Sequence, residues 1–298
     1  AWRQAIRWEV VKKNVFTDSN IPYYESKESE IWTACEIQHA LEICEDQILY
    51  LCINLAFSCS LRISEILGLT WNNIHIEDED FEKDNTRLVV DKQYVRIDKS
   101  MIGILTKDEI YKQFDSQVKR DCKTVMVLKS LKMNGKSRTV WIPRTVAFML
   151  KEWKNKQQEI KNEFGNLYED NNLVICFENG RPIEKSNIER RFKKFIEING
   201  LRKVVFHSLR HSSATYKLKL SKGDIKATQG DTGHKSAEMI TKRYAHILDE
   251  DRKVNATKFE DEFYASKENE EKDDASELLD ILKNNDALRE QLKKMLSL

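Results

Sequence analysis

The sequence predicts an α+β fold, mostly helical, with a small antiparallel sheet or hairpin, and three observations carry that reading. Apolar residues recur at three- and four-residue spacings through residues 28–71, the rhythm of amphipathic helices. Alternating and β-branched runs then fill "RLVVDKQYVRI" (87–97) and "KTVMVLKSLK" (123–132), as strands require. The helical rhythm returns after Pro143 and continues towards Tyr244 with one short interruption.

Taken in order, "WRQAIRWEVV" has helical spacing with no N-cap before it, and "DSNIP" breaks it, so residues 1–25 read as the end of an upstream domain and its linker. Residues 26–263 form the principal domain. Gly68, after "RISEIL", is expected to close a helix as its C-cap. "MNGK" supplies an Asn-Gly turn between the 123–132 run and "SRTVWIP", which predicts a β-hairpin over 123–142. The stretch 98–121 has no single rhythm and reads as a polar insertion, and the basic residues 99–123 as a solvated excursion, with a grip on a polyanion as the alternative. Pro143 and Gly165 bracket a helix, "NLVICF" (172–177) reads as a short strand, and "ENGRP" as a turn. Ser186 and Glu189 predict a capping box for the next helix, and "FHSLRHSSATYKLKL" (206–220) opens another. In residues 264–298 an acidic run is a solvated linker, after which Leu278, Leu279, Ile281 and Leu282 share one side of an amphipathic helix that needs a partner surface.

A formal net charge of +1 hides a segregation of charge. Residues 181–246 hold 16 Lys and Arg against 6 Asp and Glu, whereas residues 249–298 hold 9 against 15. The basic segment is an electrostatic footprint for a polyanion, with nucleic acid the first candidate. The six cysteines show no C-x-x-C or Cys/His ligand spacing, which indicates a reduced cytoplasm and no metal site. The longest apolar run, residues 48–61, is too short and too polar to span a bilayer, and the nine glycines form no phosphate-binding loop.

The polar outliers are Arg62 in "SLRISEILGL", a lysine of the predicted hairpin, His207 and Arg210 in "HSLRH", His234 in "TGHKS" and Tyr244 in "TKRYAHI". Singly, each has an ordinary explanation: a surface cation with Glu65 as its salt-bridge partner, a turn histidine, a half-buried phenol. Their ordered set, R…K…H-x-x-R…G-H…Y, resembles the signature of the tyrosine site-specific recombinases, the phage integrase family, over about residues 26–263. The wording "GDIK…GH…YAHI…DEDR…N" is similar to integrases of conjugative transposons and phages of Gram-positive bacteria.

That resemblance implies a recombinase that cuts and rejoins DNA strands through a 3′-phosphotyrosine intermediate, with Tyr244 as nucleophile. Arg62 and Arg210 would fork onto the non-bridging phosphate oxygens, His207 would act as general base or phosphate donor, and His234 as a further donor. Glu65, three residues after Arg62, would buttress the site. The family hairpin pattern K-T-x-x-S-x-R puts the lysine that protonates the leaving 5′-oxygen at Lys132. Met133 and Lys136 depart from the pattern, so Lys136 and Lys129 stay open. His211, Tyr216 and His246 are assigned to packing or backbone contact with DNA. The resemblance also implies no cofactor and no need for magnesium. It implies double-stranded DNA at attachment sites or transposon ends as partner, and a homo-oligomeric, tetrameric synapse with exchange of the C-terminal helix. A directionality factor, a place on DNA in the bacterial cytoplasm and a longer whole protein, with arm-binding and further core-binding regions, complete the expectation. Two alternatives are a type IB topoisomerase, which shares the chemistry, and a DNA-binding regulator with a vestigial site. The regulator would predict damage to the set, and none is seen.

Overall fold

A computed structural model of the chain describes residues 2–14, 30–103, 110–114, 122–131 and 137–233. The chain divides into two compact units, Ala1–Glu30 and Ile31–Leu298. The first contains the helix α1 (Trp2–Arg7), where the helical spacing of the sequence predicts one.

The second unit begins with two capped helices. Thr33 and Glu36 form a capping box on α2 (Ala34–Glu42), the Glu36 carboxylate accepting the Thr33 N–H at 2.7 Å. Arg202 binds the same carboxylate at 2.7 and 2.8 Å and, with Thr33, holds Glu36 at a pKa of about 2 against the opposing effect of burial. Trp32 donates its indole N–H to the Arg202 carbonyl at 2.8 Å, so the start of this unit is tied to the segment that leads into the last long helix. Asp46 caps α3 (Gln47–Ser58), accepting from the Leu49 N–H at 3.1 Å. In α3, Leu49, Leu51, Cys52, Ile53, Asn54, Leu55 and Ala56 are all buried, which is the signature of a helix enclosed on every side. It is the pillar of the unit, and a short helix α4 (Ile63–Ile66) follows it directly.

The strands depart from the sequence expectation. β1 (Ile74–His75) precedes the short helix α5 (Asp78–Glu82), and the run 87–97 then divides at Asp91 into β2 (Arg87–Val90) and β3 (Lys92–Asp98). β4 (Ile110–Phe114), within the insertion expected to be solvated, is an edge strand on β5 (Thr124–Ser130). The sheets run β1-β2-β6 and β3-β5-β4, with β6 at Arg138–Trp141, and all pairings are antiparallel. Among the described residues the predicted hairpin over 123–142 is therefore not formed by β5 pairing with β6. Each instead pairs with one half of the 87–98 ribbon, Ser130 opposite Lys92 and Arg138 opposite Val90. The Asn-Gly pair lies in residues 132–136, outside the described residues.

The later helices follow the pattern more closely. Pro143 and Gly165, the latter at φ +50°, bound α6 (Arg144–Phe164). α6 buries Val146, Ala147, Leu150 and Trp153, whose indole donates to the Val174 carbonyl at 2.7 Å. "NLVICF" is not a strand: its ends make only isolated bridges, Thr70 to Leu173 and Cys176 to Pro182. The capping box expected at Ser186 is absent too, because α7 (Lys185–Ile198) starts two residues earlier, with Glu184 at its N-cap. Arg96 of β3 holds the Glu184 carboxylate with two 2.6 Å bonds. α8 (Phe206–Leu220) and α9 (Ile225–Thr232) complete the described part, and Phe206 locks α8 to the core through an edge contact with Phe192, centroids 5.4 Å apart. None of the described helices is long and apolar enough to cross a membrane.

Gly68 corrects a further expectation. The helix ends at Leu67 in a right-handed conformation, and Gly68 is not a left-handed cap. A Cβ there would stand 2.8 Å from the Gln93 Cα, so the glycine exists to let α4 approach the β3 backbone. Because the obstacle is backbone and cannot swing away, Gly68→Ala is expected to cost about 2 kcal/mol, read as a lower denaturation midpoint with an unchanged slope.

Candidate active site

The site starts where α3 stops. Cys59 ends that helix, and Ser60 turns the chain with a left-handed φ of +53°, a conformation uncommon for a residue with a side chain. Ser60 is fully buried, and its hydroxyl lies 2.5 Å from that of Ser213 on α8. The turn delivers Arg62 to the N-cap of α4, flanked by the buried Leu61 and Ile63. Its side chain is 41% exposed, which leaves a cation accessible to an anion from outside.

Glu65 fixes Arg62 from below. One carboxylate oxygen accepts the Arg62 backbone N–H at 3.0 Å, and the other accepts Nη1 at 2.9 Å. Glu65 is only 3% exposed, yet a second cation reaches it: Arg138 of β6 donates Nη2 to Oε2 at 2.6 Å and Nη1 to Oε1 at 3.2 Å. Burial alone would raise the Glu65 pKa. The hydrogen bonds and charge of Arg138, followed by those of Arg62, outweigh it and bring the group down to about 2.

Arg210 reaches the same place from α8. It is 1% exposed, with Nη1 donating to the Ser60 carbonyl and Nη2 to the Thr232 carbonyl at the end of α9. Gly233, at φ +62°, caps α9 and packs on Arg138, where an added Cβ would meet Nε at 3.0 Å. The contacts thus close a ring: Arg62 to Glu65, Glu65 to Arg138, Arg138 to Gly233, Thr232 to Arg210, Arg210 to Ser60, and Ser60 through Leu61 back to Arg62.

Of the residues singled out in the sequence, Arg62, Glu65 and Arg210 meet in this ring. His207 is exposed in the first turn of α8, its ring 4.7 Å from that of His211 and perpendicular to it. Lys129 is the penultimate residue of β5, opposite Gln93. Lys132, Lys136, His234 and Tyr244, with the C-terminal segment, lie outside the described residues. Sequence reasoning missed Arg138, Ser60, Ser213 and Thr232. A signal for Arg138 was present: it closes the K-T-x-x-S-x-R pattern that starts at Lys132, and the alternation of "SRTVW" places it on the same face as the buried Val140.

A profile of the phage integrase family matches residues 112–251, a span that contains His207, Arg210, His234 and Tyr244. Residues 112–251 are a phage integrase family domain. It is 31% identical over 237 residues to a tyrosine recombinase XerC-like protein of Caldanaerobacter subterraneus subsp. tengcongensis, covering 78% of this chain and 54% of that protein. It is 24% identical over 260 residues to the ICEBs1 integrase of Bacillus subtilis, covering 86% and 61%. The chain therefore spans little more than half the length of these integrase-family relatives. The Tn1549 transposon integrase, solved in complex with transposon right end DNA, matches with a TM-score of 0.59 at 17% identity over 82% of this chain and 70% of that one, a likeness of fold.

The ring generates two expectations. Glu65→Gln leaves two arginines facing a neutral amide and should cost about 3 kcal/mol at neutral pH. Since the folded-state pKa lies near 2, below the ordinary 4.5, the stabilisation is fully present above pH 4.5 and lost as pH falls towards 2. Denaturation midpoints of wild type and Glu65→Gln should accordingly converge across that window. Ser60→Ala and Ser60→Gly both lose the hydroxyl pair, but glycine relieves the left-handed backbone, so the glycine variant should be the more stable by about 1 kcal/mol in urea unfolding.

Proposed function

We propose that this chain carries the catalytic domain of a site-specific DNA recombinase, an integrase that inserts and excises a mobile element through a 3′-phosphotyrosine intermediate. The observation that carries the reading is the joining of Arg62 and Arg210, far apart in sequence, in one ring with Gly233, the residue before His234. The family's ordered set of residues and the named relatives, a recombinase and integrases, support it. Those relatives also favour strand exchange over the relaxation performed by a type IB topoisomerase.

In this reading the Tyr244 phenolate oxygen attacks the scissile phosphorus of double-stranded DNA, the P–O5′ bond breaks, and the ester stores the bond energy until a 5′-hydroxyl reverses the step. A phenol ionises near pH 10, so at neutral pH its proton has to be taken up, and His207 is the acceptor within the set. Lys132, with Lys136 and Lys129 as alternatives, returns a proton to the leaving 5′-oxygen. Arg62, anchored by Glu65 and open to solvent, offers its guanidinium to the non-bridging oxygens. The five donors of Arg210 let it hold Ser60 and Thr232 and address the phosphate as well. His234 adds a donor as charge builds at phosphorus.

Double-stranded DNA at the ends of the element is the proposed partner, consistent with the basic balance of residues 181–246. Recombination of two such sites in a tetrameric synapse, with the leucine-faced C-terminal helix exchanged between protomers and a directionality factor, belongs to the same proposal. Tyr244→Phe should abolish the covalent adduct on a nicked suicide DNA carrying an end of the element and leave the dissociation constant within about twofold, since the phenol oxygen acts only in the chemical step. An adduct that survives and maps to Tyr216 or Tyr264 would overturn the assignment.

A further inference from the structure

Glu65 presents the site with an electrostatic difficulty. A carboxylate within 2.9 Å of the Arg62 guanidinium orients it well, but a one-to-one ion pair also cancels the charge that an anionic substrate needs to meet. Arg138 changes the sum. It takes both Glu65 oxygens, at 2.6 and 3.2 Å, while its side chain is 19% exposed and so withdrawn from the solvent face that Arg62 keeps. Two arginines on one carboxylate leave a net positive cluster, with the exposed member pointing outward.

Two further facts set Arg138 apart from a routine ion pair. Its Nε is buried with no hydrogen-bond partner among the described residues, a shortfall that an arginine placed for packing alone would relieve by turning. Gly233 stands against that same edge, where an added Cβ would meet Nε at 3.0 Å, closer than ordinary van der Waals contact, so the guanidinium lies between the carboxylate and the end of α9. Arg138 also opens β6, and in the sequence it follows Lys136 by two residues and Lys132 by six.

We propose that Arg138 is a positioning residue for the phosphate-binding arginine: it supplies the counter-charge of Glu65, so that Glu65 orients Arg62 without neutralising it. The proposal rests on the recombinase reading of the site. It makes a prediction of sign that a scaffold role does not. Without Arg138, the whole charge of Glu65 falls on Arg62, and the damage should be partly undone by also removing that charge.

Single-turnover cleavage of the nicked suicide DNA, at saturating protein and alongside a separate measurement of the dissociation constant, tests this. Arg138→Met should slow adduct formation about 100-fold, the scale of a misplaced transition-state contact, with affinity nearly unchanged. Arg138→Lys, which keeps the charge but not the fork, should fall between wild type and Arg138→Met. The double variant Arg138→Met with Glu65→Gln should cleave faster than Arg138→Met alone. If Arg138→Met does not fold, the polar but uncharged Arg138→Gln is compared with and without Glu65→Gln, and the same gain is expected. A double variant no faster than its parent, or a loss expressed wholly in affinity, overturns the proposal. Wild type in the same assay separates the failures: no adduct from it contradicts the recombinase reading, whereas adduct from it without the gain contradicts the role of Arg138.

Discussion

Inside this protein the Glu65 carboxylate is charged, and the site is arranged around keeping it so. Removing a carboxylate from water favours the neutral acid, and at 3% exposure that penalty is large. Two guanidinium groups and a backbone N–H oppose it and win, which is why the group is held near pKa 2 rather than above 4.5. The outcome fixes three things together: where Arg62 points, where β6 lies against α4, and where the end of α9 rests on Arg138.

The remaining architecture makes that geometry stiff. α3 is buried on all sides, so its end cannot drift, and Ser60 converts that fixed end into a sharp left-handed turn held by bonds to α8 from both its hydroxyl and its carbonyl. A non-glycine residue in that conformation stores strain, and such strain persists only where surrounding contacts over-determine it. Arg210 supplies one of those contacts and is buried for it, which makes the arginine both a structural tie and a phosphate-directed cation in the proposed chemistry. Gly68 completes the set by letting α4 sit directly on the β3 backbone.

Much of this was legible in the sequence, and the failures have physical causes. Helices with clear spacing and Pro or Gly boundaries, such as α6, appear where periodicity predicts them. The ordered polar set contains Arg62 and Arg210, and Glu65 follows from its place three residues after Arg62; the fold brings these three into one ring. Strand pairing was misread: an Asn-Gly pair signals a local turn, but here β5 and β6 each find a better partner in the long 87–98 ribbon, and only tertiary context reveals that. Gly68 was read as a cap because a glycine after a helix has two explanations, left-handed backbone and close approach, and the neighbour that decides between them is Gln93. Ser60 and Thr232 were invisible for a different reason. Each offers Arg210 a backbone carbonyl, which every residue possesses, so that bond leaves no mark in the side-chain pattern.

The central claim is that a fully ionised Glu65 stands buried between Arg62 and Arg138 before any DNA is bound. A carbon-13 NMR titration of the glutamate side-chain carboxyl groups in the DNA-free protein tests it most directly, with Glu65→Gln used to assign the Glu65 signal. The account predicts a signal that stays in its ionised position as pH falls from 6 through the ordinary carboxylate range and moves only towards a midpoint of about 2, or when the protein unfolds. A Glu65 signal that titrates at or above 4.5 in the folded protein would contradict it.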